Sequence, residues 1–335
     1  LGGTWDGYLV ALEANSGNLL WNGKVGDYDM WQAVLAPPLI VKDKAIVGVQ
    51  TIEMGSRGYI SAYSVETGEL RWRFYTIPGP GEPGNETWAG DSWEHGCGSA
   101  WLPATYDPEL NLVYVGIDNP CPFWDGEVRA GDNLYTSSIL ALDPDSGKLR
   151  WYFQVIPHDL WDYGAANEPV LVDMELTNKP TKALMQANKN GYFYIFDRTN
   201  GRLLSAKPFI DKMNWTKGLD PSGRPTPGVV PTNEGAVICP RPSRRQELES
   251  HGVFAVHRTR LYPGAGPVRG GEGCQAAADQ GDVVPRRGGV LRGTSGARPP
   301  RSPRPEDRSD QVAVPQQCPP FGLGPDDGGW ARLHR

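Results

Sequence analysis

The sequence contains no long apolar segment, and none of its hydrophobic runs approaches the roughly 18 residues that a membrane-spanning helix needs. Its five cysteines form no C-x-x-C motif and no C-x-x-C-H haem-attachment site, which excludes covalently attached c-type haem in this chain. An initiator methionine and a secretory signal are also missing from its start. Because residues 1–12 already have the pattern of paired strands, we expect the chain to be a piece of a longer protein.

Lysine is absent after Pro240, from a segment that carries 15 arginines among many prolines and glycines. Strand-like alternation ends at the same point, so we predict two regions, residues 1–240 and 241–335. The tail could be a disordered basic arm that binds nucleic acid or anionic surfaces, a small separate domain, or out-of-frame translation of GC-rich coding sequence. Arginine without any lysine favours the last interpretation. No function is assigned to the tail, and with a net charge of −6 for the whole chain we expect no nucleic-acid partner.

An eleven-residue pattern recurs along the chain and is its strongest architectural signal. Each copy has apolar residues that end one strand, a turn rich in Asp, Asn, Thr or Ser with Gly, and a second strand. The full copies, Ala11–Trp21, Ala62–Trp72 and Ala141–Trp151, end on tryptophan, whereas a fourth, Ile195–Ser205, keeps the turn and loses the tryptophan. A large aromatic residue at a constant distance from a hairpin predicts packing between neighbouring sheets. The pattern therefore predicts an all-β propeller.

The segments between the copies resemble the signature segments of the quinoprotein alcohol dehydrogenases, which include methanol and ethanol dehydrogenases that use pyrroloquinoline quinone (PQQ). They are QTIEMGSRGY (Gln50–Tyr59), TWAGDSWEHGCGSAW (Thr87–Trp101), VGIDNPCPFW (Val115–Trp124), HDLWDYGAANE (His158–Glu168) and ANKNGY (Ala187–Tyr192). The resemblance runs in order up to Pro240. It implies an eight-bladed β-propeller, of which this chain would hold about four blades.

The resemblance also implies a set of site residues. Glu53 and Asn119 match metal ligands of the family, and Trp101 matches the tryptophan that forms the floor under the quinone. Asp162 matches the catalytic aspartate and is expected to contact the metal as well. Lys189 lies where the family has a cation that reaches the quinone oxygens. The implied cofactors are PQQ and Ca²⁺.

These residue types suit that chemistry on physical grounds. Ca²⁺ prefers hard oxygen ligands, which a carboxylate and an amide carbonyl provide. The metal acts as a Lewis acid on the quinone carbonyl that accepts hydride, and an ionised Asp162 can take the hydroxyl proton of the alcohol. Lys189 can stabilise negative charge that grows on the reduced quinone.

Each candidate also has an ordinary structural interpretation. Asp162 can form an Asx turn, Asn119 before a proline is common turn chemistry, and Lys189 stands in a predicted hairpin turn. Glu53 alone would be a surface carboxylate. Only the ordered set raises these residues above that background. We expect Trp88 and Trp93 to pack between sheets, and His95 and His158 to be structural or surface residues.

Two features depart from the family or bear on cysteine pairing. Gly164 follows Asp162 by two residues, where lanthanide-using relatives carry a second aspartate, and this favours Ca²⁺. Cys97 and Cys121 can form a structural disulfide, although free buried thiols fit the sequence equally well. In the family a cysteine like Cys239 pairs within a segment that this chain lacks, so we expect Cys239 to be unpaired.

The resemblance implies oxidation of a small primary alcohol to the aldehyde, in the periplasm, with electrons passed to a c-type cytochrome. The alternative is a non-catalytic propeller scaffold, which would keep the tryptophan hairpins and need none of the site residues. About four blades cannot close an eight-bladed ring, so we expect this chain alone to be weakly active or inactive.

Overall fold

The computed structural model describes residues 1–51, 54–232 and 235–240, together with the backbone of three short strands further along the chain. The chain divides into two compact units, Leu1–Gly281 and Asp282–Arg335. The expected boundary at Pro240 and the interpretations of the tail concern residues that are mostly outside these ranges, and they stay predictions.

Antiparallel sheets dominate the described chain, and the first four are built from strands that are consecutive in the sequence, so the predicted all-β fold is confirmed. The first sheet has β1 (Gly2–Gly3), β2 (Tyr8–Leu12) and β3 (Leu19–Lys24). The second has β4 (Leu39–Val41), β5 (Lys44–Gly48), β6 (Tyr59–Ser64) and β7 (Leu70–Tyr75). The third has β8 (Thr105–Asp107), β9 (Leu112–Gly116), β10 (Ser138–Leu142) and β11 (Leu149–Gln154). The fourth has β12 (Val170–Leu176), β13 (Lys179–Ala187), β14 (Tyr192–Asp197) and β15 (Arg202–Pro208).

Shorter elements complete the described secondary structure. Three two-stranded pairs follow the fourth sheet, formed by β16 (Thr216–Leu219) with β17 (Pro225–Pro227), β18 (Val237–Ile238) with β21 (Gln275–Ala276), and β19 (Val253–Val256) with β20 (Arg260–Pro263). Single 3-10 turns occur at Tyr28–Met30, Asn85–Thr87, Ser92–His95 and Glu127–Arg129. Among the described residues, no helical segment has the length and apolar character to cross a membrane.

The repeats are the hairpins that join the last two strands of each of the first four sheets. In the three full copies the tryptophan lies directly opposite the first alanine, as Ala141 pairs with Trp151, and in the fourth copy Ile195 pairs with Ser205. All four hairpins carry a register shift next to this pair, because one residue of the last strand, Arg150 in the third sheet, has no residue opposite it. The recurring sequence therefore specifies one recurring local structure.

Each repeat tryptophan contacts the turn of the next repeat along the chain. Its indole N–H donates to a backbone carbonyl there, at 3.0 Å for Trp21, 2.9 Å for Trp72 and 3.1 Å for Trp151. Its ring covers the turn glycine so closely that an added Cβ would lie 2.5–2.6 Å from ring atoms. The contacts join Trp21 to Gly68, Trp72 to Gly147 and Trp151 to Gly201. The predicted docking role of the tryptophans is confirmed, and the fourth copy keeps Gly201 because Trp151 packs on it.

The core lies between the sheets, and β10 shows how one strand contributes to two interfaces. Ile139 and Ala141 join the apolar cluster shared with the fourth sheet, whereas Leu140 and Leu142 join the cluster shared with the second. Successive side chains of a strand point to opposite faces, so a sheet packed on both sides needs a continuous apolar run. The sequence SILAL of β10 is such a run, and the whole strand is buried.

Strand direction determines where the connecting segments meet. In an antiparallel sheet, the segment that enters the first strand and the segment that leaves the second strand lie at the same end. In the third and fourth sheets these segments carry the predicted site residues.

Candidate functional site

Four of the five predicted site residues lie in segments of this kind. Trp101 stands in the segment that enters β8 and Asn119 in the segment that leaves β9. Asp162 stands in the segment that enters β12 and Lys189 in the turn that leaves β13. Glu53, the fifth, is one of the residues that the structure does not describe, so its predicted role as a metal ligand stays a prediction.

Asp162 and Lys189 form an ion pair across the fourth sheet's end. The Lys189 Nζ lies 3.3 Å from Asp162 Oδ2, and the two side chains are 3% and 15% exposed. Asp162 has a φ of 59°, a left-handed backbone conformation that non-glycine residues seldom adopt and that clusters at functional sites. The buried Lys189 ammonium and the slightly exposed Asp162 carboxylate thus place a positive and a negative group side by side at this end of the sheet.

The loop that presents Asp162 is held by a second carboxylate, Asp159, which the sequence did not reveal. Asp159 Oδ1 accepts the Trp161 N–H at 2.8 Å, and Oδ2 accepts the Tyr163 N–H at 3.0 Å and the Ser137 hydroxyl at 2.9 Å. The Asx-turn role considered for Asp162 therefore belongs to Asp159. Complete burial raises the pKa of Asp159 above its ordinary value, against the hydrogen bonds and the positive charges of Arg129 and Lys189 that act in the other direction.

Arg129 supports the same loop from below. It is completely buried and donates to the carbonyl oxygen of Asp159 at 2.6 Å, to Asn133 Oδ1 at 2.7 Å and to the Phe123 carbonyl at 3.0 Å. Burial lowers the pKa of Arg129 to about 10, with the nearby Asp159 and Asp125 charges opposing that shift. Its planar guanidinium donates hydrogen bonds to three chain segments at once, one of which is the loop that carries Asp162.

The side-chain amide oxygen of Asn119 is buried but accepts no hydrogen bond from a described residue, and we call such an oxygen open. Asn119 is 3% exposed, and its Nδ2 donates to the Pro120 carbonyl at 3.3 Å. Within the described ranges no donor reaches its Oδ1. A buried acceptor without a donor is costly, so its presence calls for a ligand, an ion or water at that atom.

Trp101 and Asn119 are connected through Asp118. The Trp101 Nε1 donates to Asp118 Oδ2 at 2.7 Å, which fixes the orientation of the half-buried indole. Asp118 is 5% exposed, and its Oδ1 likewise receives no donor from the described part of the chain. Sequence reasoning passed over Asp118 because nothing in the motif distinguishes it from a turn residue.

Gly164 closes the contact between the third and fourth sheets. A Cβ added there would lie 2.0 Å from Asp118 Oδ1 and 3.0 Å from the Asn119 nitrogen, so the position has no room for a side chain. The Gly164 carbonyl accepts the Asn188 amide N–H at 3.2 Å, and Asn188 precedes Lys189. Through these contacts the chain segments that carry Trp101, Asn119, Asp162 and Lys189 are linked to one another.

A disulfide fastens the Asn119 segment. Cys97 and Cys121 are bonded to each other, which decides between the two alternatives that the sequence left open. The Gly98 N–H also donates to the Asn119 carbonyl at 3.3 Å.

The expectation that Cys239 is unpaired is wrong, because Cys239 is disulfide-bonded. That expectation considered only a family segment that this chain lacks. It neglected Cys274 and Cys318, which follow Cys239 in the sequence and are among the residues not described.

Two histidines and two tryptophans of the signature segments have structural contacts. The ring Nδ1 of His95 lies 2.9 Å from the Gly55 carbonyl, and that of His158 lies 2.8 Å from the Gly131 carbonyl. Trp88 donates to the Leu134 carbonyl, and Trp93 lies under the Arg57 guanidinium at 5.1 Å. These four side chains fasten loops around the site.

The candidate ligand oxygens suit the cation that the resemblance implies. In the described part of the chain no group of three or more His, Cys, Asp or Glu side chains converges as a metal centre. The open amide oxygen of Asn119 and the carboxylate of Asp162 are hard oxygen atoms of the kind that Ca²⁺ or a lanthanide prefers. With Glu53 they would supply a protein share of such a site, and the flat ring of Trp101 offers a surface for a planar cofactor.

Comparisons with known proteins agree with this arrangement. The sequence profile of the PQQ family, described as "Glucose/ethanol/alcohol dehydrogenase, beta-propeller domain", matches residues 2–206. The chain is 44% identical to the quinohemoprotein alcohol dehydrogenase ADH IIB of Pseudomonas putida, over 79% of this chain and 40% of that protein. It is 36% identical to the lanthanide-dependent methanol dehydrogenase of Methylacidiphilum fumariolicum, over 75% of this chain and 42% of that protein.

A solved structure shows the same architecture. The quinohemoprotein alcohol dehydrogenase ADHIIG of Pseudomonas putida superposes with a TM-score of 0.69 at 36% identity, covering 76% of this chain and 40% of that one. The chain thus spans about two fifths of the length of the relatives it matches. The predicted propeller is confirmed, and the chain belongs to the β-propeller family of PQQ-dependent alcohol dehydrogenases.

Proposed function

We propose that the protein oxidises a primary alcohol to the aldehyde with PQQ and Ca²⁺ bound at the site of Trp101, Asn119, Asp162 and Lys189. The observation that carries the proposal is the grouping of an open buried amide oxygen, an ion pair and a half-buried indole at one end of two sheets. Family membership supplies the chemistry that this grouping supports.

When bound, the quinone accepts hydride from the alcohol carbon, and the cation polarises the carbonyl that receives it. The Asp162 carboxylate is the group that would take the hydroxyl proton of the alcohol as the hydride leaves. Its left-handed backbone and the anchors on Asp159 keep that carboxylate directed to the site. Lys189 places a buried positive charge where negative charge grows.

The remaining residues hold the cation and the cofactor plane. Asn119 offers its Oδ1 to the cation, and Glu53 and Asp162 would add carboxylate oxygens. Trp101, held by its hydrogen bond to Asp118, would offer its indole as a flat surface to a bound planar cofactor.

Electrons would leave for a c-type cytochrome in the periplasm. The names of relatives support this step, since ADH IIB is a quinohemoprotein and a Gluconobacter oxydans relative is named as a dehydrogenase subunit. We expect the chain alone to turn over slowly or not at all, because it spans about two fifths of its relatives.

The second candidate function is a non-catalytic propeller scaffold. Such a scaffold needs the tryptophan hairpins but neither a left-handed Asp162 nor an open buried oxygen on Asn119. These two features cost stability, so they favour the enzyme.

Cofactor binding tests the proposal. PQQ and Ca²⁺ are added to the full chain, and the absorbance of the bound quinone is followed in the wild type, Asn119→Ala, Asp162→Ala and the surface control Asp145→Asn. The proposal expects binding in the wild type and the control, and at least a tenfold weaker affinity in the two site variants. Unchanged quinone binding in both site variants would contradict it.

A further inference from the structure

The two carboxylate oxygens of Asp118 differ, because one accepts a hydrogen bond and the other accepts none from the described residues. Its Oδ2 accepts the Trp101 N–H at 2.7 Å, whereas its Oδ1 is buried and receives no donor from the described residues. The side chain is in no ion pair with a described lysine or arginine. A buried carboxylate oxygen without a donor or a cation is energetically unfavourable.

The next residue repeats the pattern, since the Asn119 Oδ1 is also buried and open to the described residues. Two buried oxygen atoms on adjacent residues, one from a carboxylate and one from an amide, are of the type that hard cations bind in proteins. One of the two belongs to a carboxyl group, so a cation would satisfy both a hydrogen-bonding and a charge requirement.

Gly164 indicates where the open Asp118 oxygen lies. A Cβ at Gly164 would come within 2.0 Å of Asp118 Oδ1 and within 3.0 Å of the Asn119 nitrogen. The Asp118 carboxylate therefore occupies the space that a side chain at position 164 would fill, two residues after Asp162. It lies between the segment of the predicted ligand Asn119 and the loop of Asp162.

We infer that Asp118 is an additional oxygen ligand of the cation bound at Asn119, and that its charge raises the affinity for trivalent cations more than for Ca²⁺. This rests on the proposed function and deepens it by naming a ligand and a cation class. Coulomb attraction scales with the product of the charges. Loss of one negative charge therefore reduces the binding free energy of a trivalent ion by about 1.5 times as much as that of a divalent ion.

The test measures metal binding without quinone. Tb³⁺ is titrated into the full chain, its emission is excited through tryptophan, and Ca²⁺ affinity is obtained by competition. Asp118→Asn keeps an oxygen that can accept the Trp101 N–H but removes the charge. Asp145→Asn is the control, because Asp145 is an exposed carboxylate paired with Lys42 on the surface.

A second variant keeps the test decisive if Asp118→Asn does not fold. The double variant Asp118→Gly/Gly164→Asp moves the carboxylate from position 118 to position 164. A side chain at position 164 would fill the space that Asp118 Oδ1 occupies in the wild type. We expect Asp118→Asn to lose at least tenfold in Tb³⁺ affinity and less in Ca²⁺ affinity, and the exchange variant to return within about threefold of the wild type.

Three results would overturn the inference: wild-type Tb³⁺ affinity in Asp118→Asn, failure of the exchange variant to regain binding, or no Tb³⁺ binding by the wild type. In those cases a water molecule satisfies the Asp118 oxygen instead. Quinone absorbance in the wild type and Asp162→Ala is measured separately, so loss of this inference is distinguishable from loss of the proposed function.

Discussion

The ammonium of Lys189 lies 3.3 Å from the carboxylate of Asp162, and the pair joins the turn after β13 to the loop before β12. Both residues belong to the fourth sheet, but their loops are otherwise fixed by different partners. The pair is therefore a direct link between two loops at one end of the fourth sheet.

Breaking this pair should destabilise the fold. Asp162→Asn would remove a carboxylate charge that lies beside the buried Lys189 ammonium, and we expect a loss of about 3 kcal/mol in the free energy of unfolding, at the low end for a buried pair because Asp162 is partly accessible. Urea denaturation of both single variants and of Asp162→Asn/Lys189→Met checks this. A double-mutant cycle with no coupling energy would show that the pair contributes nothing.

The tryptophan–glycine contacts can be tested with a matched pair of turn glycines. Gly17 and Gly147 occupy equivalent turn positions with φ of 74° and 71°, but only Gly147 lies under a ring, that of Trp72. Gly17→Ala should cost about 1 kcal/mol for the left-handed backbone. Gly147→Ala should cost about 2 kcal/mol more, because its Cβ would lie 2.5 Å from the ring.

Urea denaturation measures both glycine variants. Equal losses would indicate that the ring contact does not tie one sheet to the next.

Removal of the Cys97–Cys121 disulfide should destabilise the chain and loosen the site. The bond closes a loop with a sequence separation of 24, for which chain entropy predicts roughly 3 kcal/mol. Cys97→Ala/Cys121→Ala should lose that amount in denaturation and also bind Tb³⁺ more weakly, because Asn119 stands two residues before Cys121. Unchanged metal affinity in a folded variant would show that the disulfide supports the fold alone.

Asp159 should give stability an unusual pH dependence. Its pKa in the folded state is raised by burial above the unfolded value, so the folded state favours the protonated form. Its contribution is fully present below the unfolded pKa of 3.8 and is lost as the pH rises through the folded pKa. In Asp159→Asn this loss should be missing, so the wild-type minus variant difference in unfolding free energy should decline with rising pH over that window.

Carboxyl ¹³C chemical shifts of Asp159 provide the direct check. A midpoint at or below 3.8 would contradict the raised pKa.

The repeat allowed much of the fold to be predicted, because turn chemistry and strand alternation are local properties. Trp151 and its hairpin follow from the sequence ALDPDSGKLRW alone. The contact partner of Trp151 could not be predicted in this way. Gly201 belongs to the next repeat, and its role as a docking surface depends on how the sheets stack. The fourth copy without a tryptophan became intelligible only from that contact.

The site was predicted only in part. Resemblance to the family selected Trp101, Asn119, Asp162 and Lys189, and the structure brings them together, while their roles stay predictions. Asp118 and Asp159 were missed because a buried aspartate and a turn aspartate look alike in one sequence. The available signals were the acid next to Asn119 and the spacing of two aspartates around Trp161.

Anomalous diffraction from crystals of the full chain grown with PQQ and a cation tests the central claim most directly. The account predicts an anomalous peak at about 2.5 Å from Asn119 Oδ1, also in contact with Asp162, and quinone density over the indole of Trp101. A cation bound elsewhere, or a quinone that leaves Trp101 uncovered while Asn119 Oδ1 contacts only water, would contradict it.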